Sequence, residues 1–474
     1  MMIALVLAAT LSANFDVEVG KIRPELHSSS FGPTICSQTQ QDLEDVKAMG
    51  FASARTHDWA LINPGQRVCD YFFIFPLMHL DATDPKNYVF GPTDYLLKRT
   101  REEAGLEVFY RLGSSIEHSG YKVHFNALIP DDFDKVAEIF AGTVRHYNRG
   151  WADGFRWGIR YWEIWGEPDN EKSLWFPADG LGPVEGKVDA AKRAECRAKF
   201  VKFFVTVLKR LKGEFGDEIK VGGPALCGYN VDYLNAVLTA CKEAGVAPDF
   251  ISWHGYTNDP RKYGREAEEG RKLLDGYGFT KCEMIVDEWH YFGYGDYNWN
   301  DMARSSDPKA KARIWTGPRS HNGIHSACFN LAALADLQGS KLSMAHYYGC
   351  EHTGSWGFKD ALQQKYKVFY SLKLFGDLVK NHETICEGTS DSAYTAFAVK
   401  GADGRKSLLV VDYGGTNRDI SVAVKGVPAD AKPVCTVLDY THDLAEHPVS
   451  FKDGTLALRK NDAYSAAFLV EFGE

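Results

Sequence analysis

From about residue 25 to residue 380, short apolar runs alternate with longer segments in which apolar positions recur at helical spacing. The runs near Leu26 to Ser30, Phe51 to Arg55, Glu107 to Arg111, Tyr161 to Trp165, Lys220 to Gly223, Phe250 to His254, Cys282 to Glu288 and Met344 to Tyr348 read as strands. Helical patterns lie between them. In Arg193 to Lys212, Phe200, Phe204, Val207, Leu208 and Leu211 form one apolar face, and the Lys and Arg residues take the other. Strand and helix in regular alternation specify a parallel sheet with crossover helices. Eight such units predict an α/β fold, a closed (β/α)8 barrel over residues 21–382.

Beyond Lys380 the period changes to short alternating runs: Tyr394 to Val399, Ser407 to Val411, Ile420 to Val424, Val434 to Leu438 and Ala463 to Val470. Turn signals at Ala402-Asp403-Gly404, Gly414-Gly415 and Asp453-Gly454 separate them, which predicts a C-terminal β-sandwich over 383–474. At the other end Leu11, Ala13, Phe15 and Val17 alternate with Ser12, Asn14, Asp16 and Glu18. This strand, within residues 1–20, is expected to join the sandwich, because its backbone groups need a sheet edge. No repeat or low-complexity linker separates the modules, so they are expected to pack rigidly.

A chain of 474 residues accommodates a barrel of roughly 250 residues or more and a module of about 100. A formal charge of −9 without a basic cluster provides no footprint for phosphate backbones, so nucleic acid is not an expected partner. No apolar run is long enough to span a bilayer, and no membrane partner is expected. The ten cysteines, from Cys36 to Cys435, include no C-x-x-C pair and no spacing suited to zinc, so neither metal nor cofactor is expected. Free buried thiols suit a reducing compartment, and a cytoplasmic location is the expectation. The apolar stretch Met2 to Ala9 is short and has no Lys or Arg before Lys21, which favours a strand over a signal peptide; a secreted or periplasmic location is the alternative if it is a signal remnant.

Two strand ends carry the candidate chemistry: Tyr161-Trp162-Glu163-Ile164-Trp165-Gly166-Glu167-Pro168-Asp169 and Met284-Ile285-Val286-Asp287-Glu288-Trp289-His290. Each leads an apolar strand into a carboxylate flanked by aromatics, and barrels of this kind present catalytic groups at the carboxyl ends of their strands. Pro168 cannot continue the strand, so Glu167 is placed at the mouth. Trp162 and Trp165 are expected to solvate Glu167 poorly and keep it neutral, as suits a proton donor. Glu288 is the candidate nucleophile. Asp287 competes, but neighbouring strand residues point to opposite sides, so only one of the pair is expected to face the axis, and the longer arm of Glu288 is preferred. Two carboxyls facing each other across a glycosidic bond are the minimal machinery for splitting it. The expectation is therefore an enzyme that splits a glycosidic bond, one carboxyl donating a proton and the other attacking or activating water. The rich aromatic content of 13% leaves rings for stacking on sugar, with Trp356, Trp175-Phe176 and the segment Tyr291 to Trp299 placed to wall the cleft.

These motifs resemble the clan A glycoside hydrolases, and within them glycoside hydrolase family 39, the β-xylosidases and α-L-iduronidases. Members show Trp-Glu-x-Trp-Asn-Glu-Pro-Asp after strand four, matched from Trp162 to Asp169 at all but one position, and a Glu followed by an aromatic after strand seven, matched by Glu288-Trp289. The resemblance covers most of the barrel. It implies a retaining glycoside hydrolase acting by double displacement on an oligo- or polysaccharide, β-xylosidase-like, with Glu167 as the acid/base and Glu288 as the nucleophile. Arg55-Thr56-His57-Asp58 stands where the clan keeps an Arg that braces the nucleophile, and Ser252-Trp253-His254-Gly255-Tyr256 resembles the Ser-x-His-x-Tyr after strand six. Arg55, His57, Asp58, Trp165, His254, Tyr256, Trp289 and Trp356 are accordingly the candidate carbohydrate-binding residues.

The departure is Gly166, where the clan has an Asn whose amide binds the sugar 2-hydroxyl. Either another side chain, such as Asn170 or His57, takes over that contact, or the sugar is modified or oriented so that the contact is absent. Two rivals remain. A metal-dependent barrel hydrolase is motivated by His57-Asp58, His254, His346 and Glu351-His352, and a non-catalytic carbohydrate-binding barrel by Gly166.

Overall fold

The computed structural model describes residues 11–30, 40–57, 67–115, 129–170, 190–293, 308, 317–349, 351–353, 356–360 and 362–473. Strand β1 (Leu11–Lys21) precedes eight parallel strands that close in sequence order into a barrel: β2 (Ser28–Ser29), β3 (Ser53–Arg55), β4 (Glu107–Leu112), β5 (Tyr161–Ile164), β6 (Lys220–Leu226), β7 (Phe250–Thr257), β8 (Glu283–Tyr291) and β9 (Met344–Tyr347). Each strand predicted for the barrel has its counterpart here. Alternation along the strands sorts their side chains. Phe109, Phe250, Ile285 and Met344 meet inside the barrel as its floor, while Val108, Tyr110 and Leu112 face outward into the main core.

The outer layer consists of helices α1 (Gln40–Met49), α2 (Tyr71–Ile74), α3 (Gly91–Lys98), α4 (Phe133–Arg149), α5 (Ala190–Phe215), α6 (Val231–Glu243), α7 (Lys262–Tyr277), α8 (Ile324–Gly339) and α9 (Lys367–Asn381). Local chemistry sets their ends. Asp132 caps α4 by accepting from the Lys135 backbone N–H at 3.0 Å, and Gly150, at φ 75°, turns the chain out of that helix. The face predicted for α5 is buried at Phe200, Phe204, Val207, Leu208 and Leu211. Among the described residues no helix is long and apolar enough to cross a membrane. A two-stranded parallel ribbon, β10 (Glu351–Thr353) and β11 (Gly357–Lys359), follows the last barrel strand.

Two local distortions position the site. The ladder between β7 and β8 slips: Trp253 pairs with Val286 but His254 pairs with Glu288, so Asp287 is the extra residue of a bulge. The bulge breaks the alternation, and both Asp287 and Glu288 turn inward. The expectation that only one of them faces the axis is thereby corrected. At the end of β5, Trp165 (φ 74°) and Glu167 (φ 47°) adopt left-handed backbone, a conformation costing about 1–3 kcal/mol for each non-glycine residue. The kink directs the Trp165 ring outward onto Phe203 of α5, at 5.4 Å between centroids, and returns Glu167 to the mouth. Backbone bonds from Trp165 to the Leu112 carbonyl (2.6 Å) and from Glu167 to the Ala225 carbonyl (2.8 Å) anchor it on both sides.

The remaining strands are β12 (Thr384–Gly388), β13 (Tyr394–Lys400), β14 (Lys406–Asp412), β15 (Asp419–Lys425), β16 (Val434–Leu438), β17 (Asp443–Glu446), β18 (Ser450–Lys452), β19 (Thr455–Arg459) and β20 (Ala466–Phe472). With β1 they form one ladder in the order β17-β16-β20-β14-β13-β12-β1-β15-β19-β18. Phe451 of β18 nevertheless lies 5.6 Å from Phe472 of β20, near the opposite end of that ladder. The sheet therefore folds over on itself as a sandwich, enclosing Leu11, Phe15, Leu408, Val422 and Phe468 in a second core. β1 lies between β12 and β15, pairing antiparallel with the first and parallel with the second. The predicted turn Asp453-Gly454 joins β18 to β19 with both residues at positive φ, as a tight hairpin requires. Tyr413 ties the modules together, donating to the Asn258 carbonyl at 2.5 Å and stacking on His325 at 4.4 Å.

Candidate active site

Arg55, at the end of β3, is fully buried and lies above the barrel floor. Its Nε donates to Glu163 Oε2 at 2.6 Å and its Nη1 to Glu288 Oε1 at 2.8 Å. Nη2 lies 3.1 Å from Asp287 Oδ2, an ionic contact without hydrogen-bond alignment. Burial alone would weaken the guanidinium's hold on its proton, but the charges of Glu163, Asp287 and Glu288 outweigh it and keep Arg55 cationic. The other oxygen of Glu163 accepts from Ser252 Oγ at 2.7 Å. Burial, with the adjacent Asp287 charge, pushes Glu163 above the ordinary carboxyl range despite Arg55 and Ser252. Asp287 is also raised by burial, but Arg55 and His254 overcome this and hold it below its ordinary range.

Glu288 is gripped from every side. Besides Arg55, Tyr256 Oη donates to its Oε2 at 2.8 Å, His254 Nδ1 stands 3.2 Å from the same oxygen, and His57 Nε2 is 3.4 Å from Oε1. His254 Nδ1 also contacts Glu167 Oε1 at 2.9 Å, and Asn170 Nδ2 donates to Glu167 Oε2 at 2.6 Å. Burial would lower the pKa of His254, but the charges of Glu288 and Asp287 and the bonds to Asp287 and Glu167 carry it well above 6.5. For Glu167, burial acts upward, and the hydrogen bond and charge of His254, with Asn170 and His57, bring the net shift below the ordinary value. This corrects the expectation of a carboxyl held neutral by its tryptophans. Trp162 stacks on Tyr110 at 4.9 Å and donates to the Ile159 carbonyl, and Trp165 packs under α5, so both rings point away from the acid.

An oxygen of Glu167, an oxygen of Glu288 and a ring nitrogen of His254 all lie within 4.8 Å of one another. Carboxyl groups about 5–5.5 Å apart suit direct attack on an anomeric carbon, whereas about 6.5–9.5 Å is needed to admit a water between them. The same triad has the spacing to hold a cation, and it is the one such group among the described residues.

The remaining candidates divide. Trp356, partly buried, lies 5.7 Å from Tyr256 and 5.4 Å from Tyr348, and the Tyr348 ring is 5.6 Å from His57, so an aromatic wall runs beside Glu288. Trp289 and Trp165 do not belong to the cleft. Trp289 is buried between Tyr263, Phe329 and Tyr347 in the layer between barrel and helices, which a ligand at the mouth cannot reach. His346 is not with His254: it packs on Phe109 of the floor, and burial lowers its pKa to about 3. Asp58, Trp175, Phe176, residues 294–299 and the side chains of Glu351 and His352 lie outside the described residues. Sequence reasoning overlooked Glu163 as a participant; its signal was a charged residue in phase with the inward Tyr161 on an apolar strand.

No family model matches the chain. A β-xylosidase of Geobacillus stearothermophilus is 30% identical over 138 residues, 28% of this chain; the match spans 22% of the length of that curated relative. Among solved structures, a glucosidase from Croceicoccus marinus superimposes with a TM-score of 0.71 at 20% identity, covering 99% of both chains. The family 51 α-L-arabinofuranosidase AbfB of Bifidobacterium longum superimposes with a TM-score of 0.62 at 14% identity, covering 98% of this chain and 99% of that one. Barrel and sandwich together are thus a fold shared with these proteins along nearly the whole chain.

Proposed function

We propose that the chain is a retaining glycoside hydrolase of the clan A kind, β-xylosidase-like, cleaving a glycosidic bond in an oligo- or polysaccharide. The observation that carries this reading is the approach of the Glu167 and Glu288 carboxylates to within 4.8 Å, with Glu288 held by Arg55 and Tyr256. Glu288 attacks the anomeric carbon while Glu167 protonates the departing oxygen. The required proton is at hand on His254 Nδ1, 2.9 Å from Glu167 Oε1. Forming the glycosyl-enzyme removes the Glu288 charge, so Glu167 can then act as the base that activates water. The proteins similar to this chain include a β-xylosidase, a glucosidase and an α-L-arabinofuranosidase, which supports a carbohydrate substrate. A cytoplasmic location is part of the proposal. It is supported by Cys69, Cys196, Cys227, Cys241, Cys282, Cys328, Cys386 and Cys435, all free thiols, and recovery of the chain from the exported fraction would overturn it.

The deciding experiment offers an activated aryl glycoside and azide to the Glu288→Ala variant. An enzyme loses turnover and regains it as the glycosyl azide of inverted configuration. A non-catalytic sugar binder has no activity to lose, and recovery without inversion would reject double displacement.

A further inference from the structure

A second buried arginine packs beside Gly166, the residue before Glu167, and the chemistry above does not use it. Arg111 of β4 is in phase with the inward Phe109 and is 1% exposed. Its Nη2 donates to Asp70 Oδ1 at 2.8 Å and to Ser115 Oγ at 3.0 Å. Asp70 is itself fixed by the Ser115 N–H at 2.8 Å and the Ser115 hydroxyl at 2.9 Å. Nε and Nη1 of Arg111 are left buried without a hydrogen-bond partner. Interior donors are nearly always satisfied, so a pair of them on one guanidinium is available to an oxygen-bearing ligand. The arginine stem lies against the chain one residue from the acid. A side chain starting from Gly166, the residue before Glu167, would meet the Arg111 Cδ at 3.4 Å, so glycine there leaves the Arg111 stem as the lining next to the acid.

We propose that Arg111 is a specificity-determining residue that donates from Nε and Nη1 to hydroxyl groups of a neutral sugar bound between Glu167 and Glu288. This rests on the hydrolase reading above. Either fork with which a guanidinium grips a carboxylate or sulfate includes Nη2, and both hydrogens of Nη2 are committed to Asp70 and Ser115. The Arg111 charge is matched by Asp70, and Asp287, Glu288 and Glu167 outnumber Arg55 and His254 around the mouth, which disfavours an anionic substituent. Nε and Nη1 remain as separate donors with different directions, which suits separate hydroxyls. Asn170 is bonded to Glu167 and His57 faces Glu288, whereas Nε and Nη1 of Arg111 are uncommitted.

The test measures kcat/KM for 2,4-dinitrophenyl β-xyloside, β-glucoside, α-L-arabinofuranoside and β-glucuronide, then for the mono-deoxygenated forms of whichever neutral sugar is cleaved best. The unaltered chain should disfavour at least one deoxy sugar by about 100-fold or more, because a buried donor is then left unpaired. In Arg111→Met combined with Asp70→Asn, which removes both charges together, that ratio should fall to about threefold or less. Arg111→Lys, which keeps a cation for Asp70, provides the same ratio should the double variant not fold. A uniform loss of rate with unchanged ratios overturns the proposal, as does a glucuronide cleaved as well as the neutral sugars. If the unaltered chain cleaves none of the panel, the hydrolase reading falls first and this one with it.

Discussion

Arg55 and Glu288 are hydrogen bonded at 2.8 Å, and neither side chain reaches solvent to any extent. A buried guanidinium that also meets Glu163 and Asp287 is a shared counter-ion. Removing it leaves buried carboxylates uncompensated. Arg55→Met should destabilise the fold by about 3–5 kcal/mol, read by denaturant unfolding, and should abolish turnover. A variant as stable as the parent would mean that the carboxylates are neutral.

Glu167→Gln should lower turnover about 10²–10⁴-fold for substrates with a poor leaving group and far less for dinitrophenyl glycosides, which depart without protonation. Steady-state rates on a leaving-group series measure this. A loss that does not depend on the leaving group would remove Glu167 from the acid role.

His254 carries a pKa raised above 6.5, chiefly because the charges of Glu288 and Asp287 overcome burial. The sign follows: its cationic form adds stability that is fully present below 6.5 and is lost as pH rises through the higher folded-state value. The excess melting temperature of the parent over His254→Gln should therefore shrink towards alkaline pH. The variant should also move the alkaline limb of kcat/KM to lower pH, since the proton must then sit on Glu167 alone. An unchanged limb would show that His254 does not hold it.

Trp289 and Trp356 should respond oppositely to replacement by Ala. Trp289→Ala empties a buried site between barrel and helices and should cost about 3–5 kcal/mol of stability, with KM little changed in the folded fraction. Trp356→Ala should leave stability near the parent's and raise KM about 3- to 10-fold, the equivalent of about 0.5–1.5 kcal/mol. Melting curves and KM on one aryl glycoside separate the two.

Chelation with EDTA should leave turnover unchanged, and elemental analysis should find no stoichiometric metal. Glu167, His254 and Glu288 have cation-binding spacing, so activity that needs an added metal would redirect the chemistry to that triad.

Much of the architecture was legible because periodicity is a local property. Phe109 and Val108 announce the two faces of a barrel strand, and Asp453-Gly454 announces a hairpin, without reference to distant residues. The strands β12, β17, β18 and β19 were less visible, being short pieces whose pairing partners decide their state.

The sequence by itself determined the alternation of strand and helix, the placing of Glu167 and Glu288 at strand ends, and the change of period near residue 380. Each depends on residue order over a few positions. Tertiary structure alone decided which groups share the mouth. The Asp287 bulge turned two neighbouring acids to the same side, and the left-handed backbone at Trp165 sent one tryptophan into the helix layer. Closure of the barrel brought Arg55 from β3 against carboxylates of β5 and β8. Burial and neighbouring charge then set the protonation of His254 and Glu167, because electrostatic energy depends on distances through space that no local pattern of residues encodes.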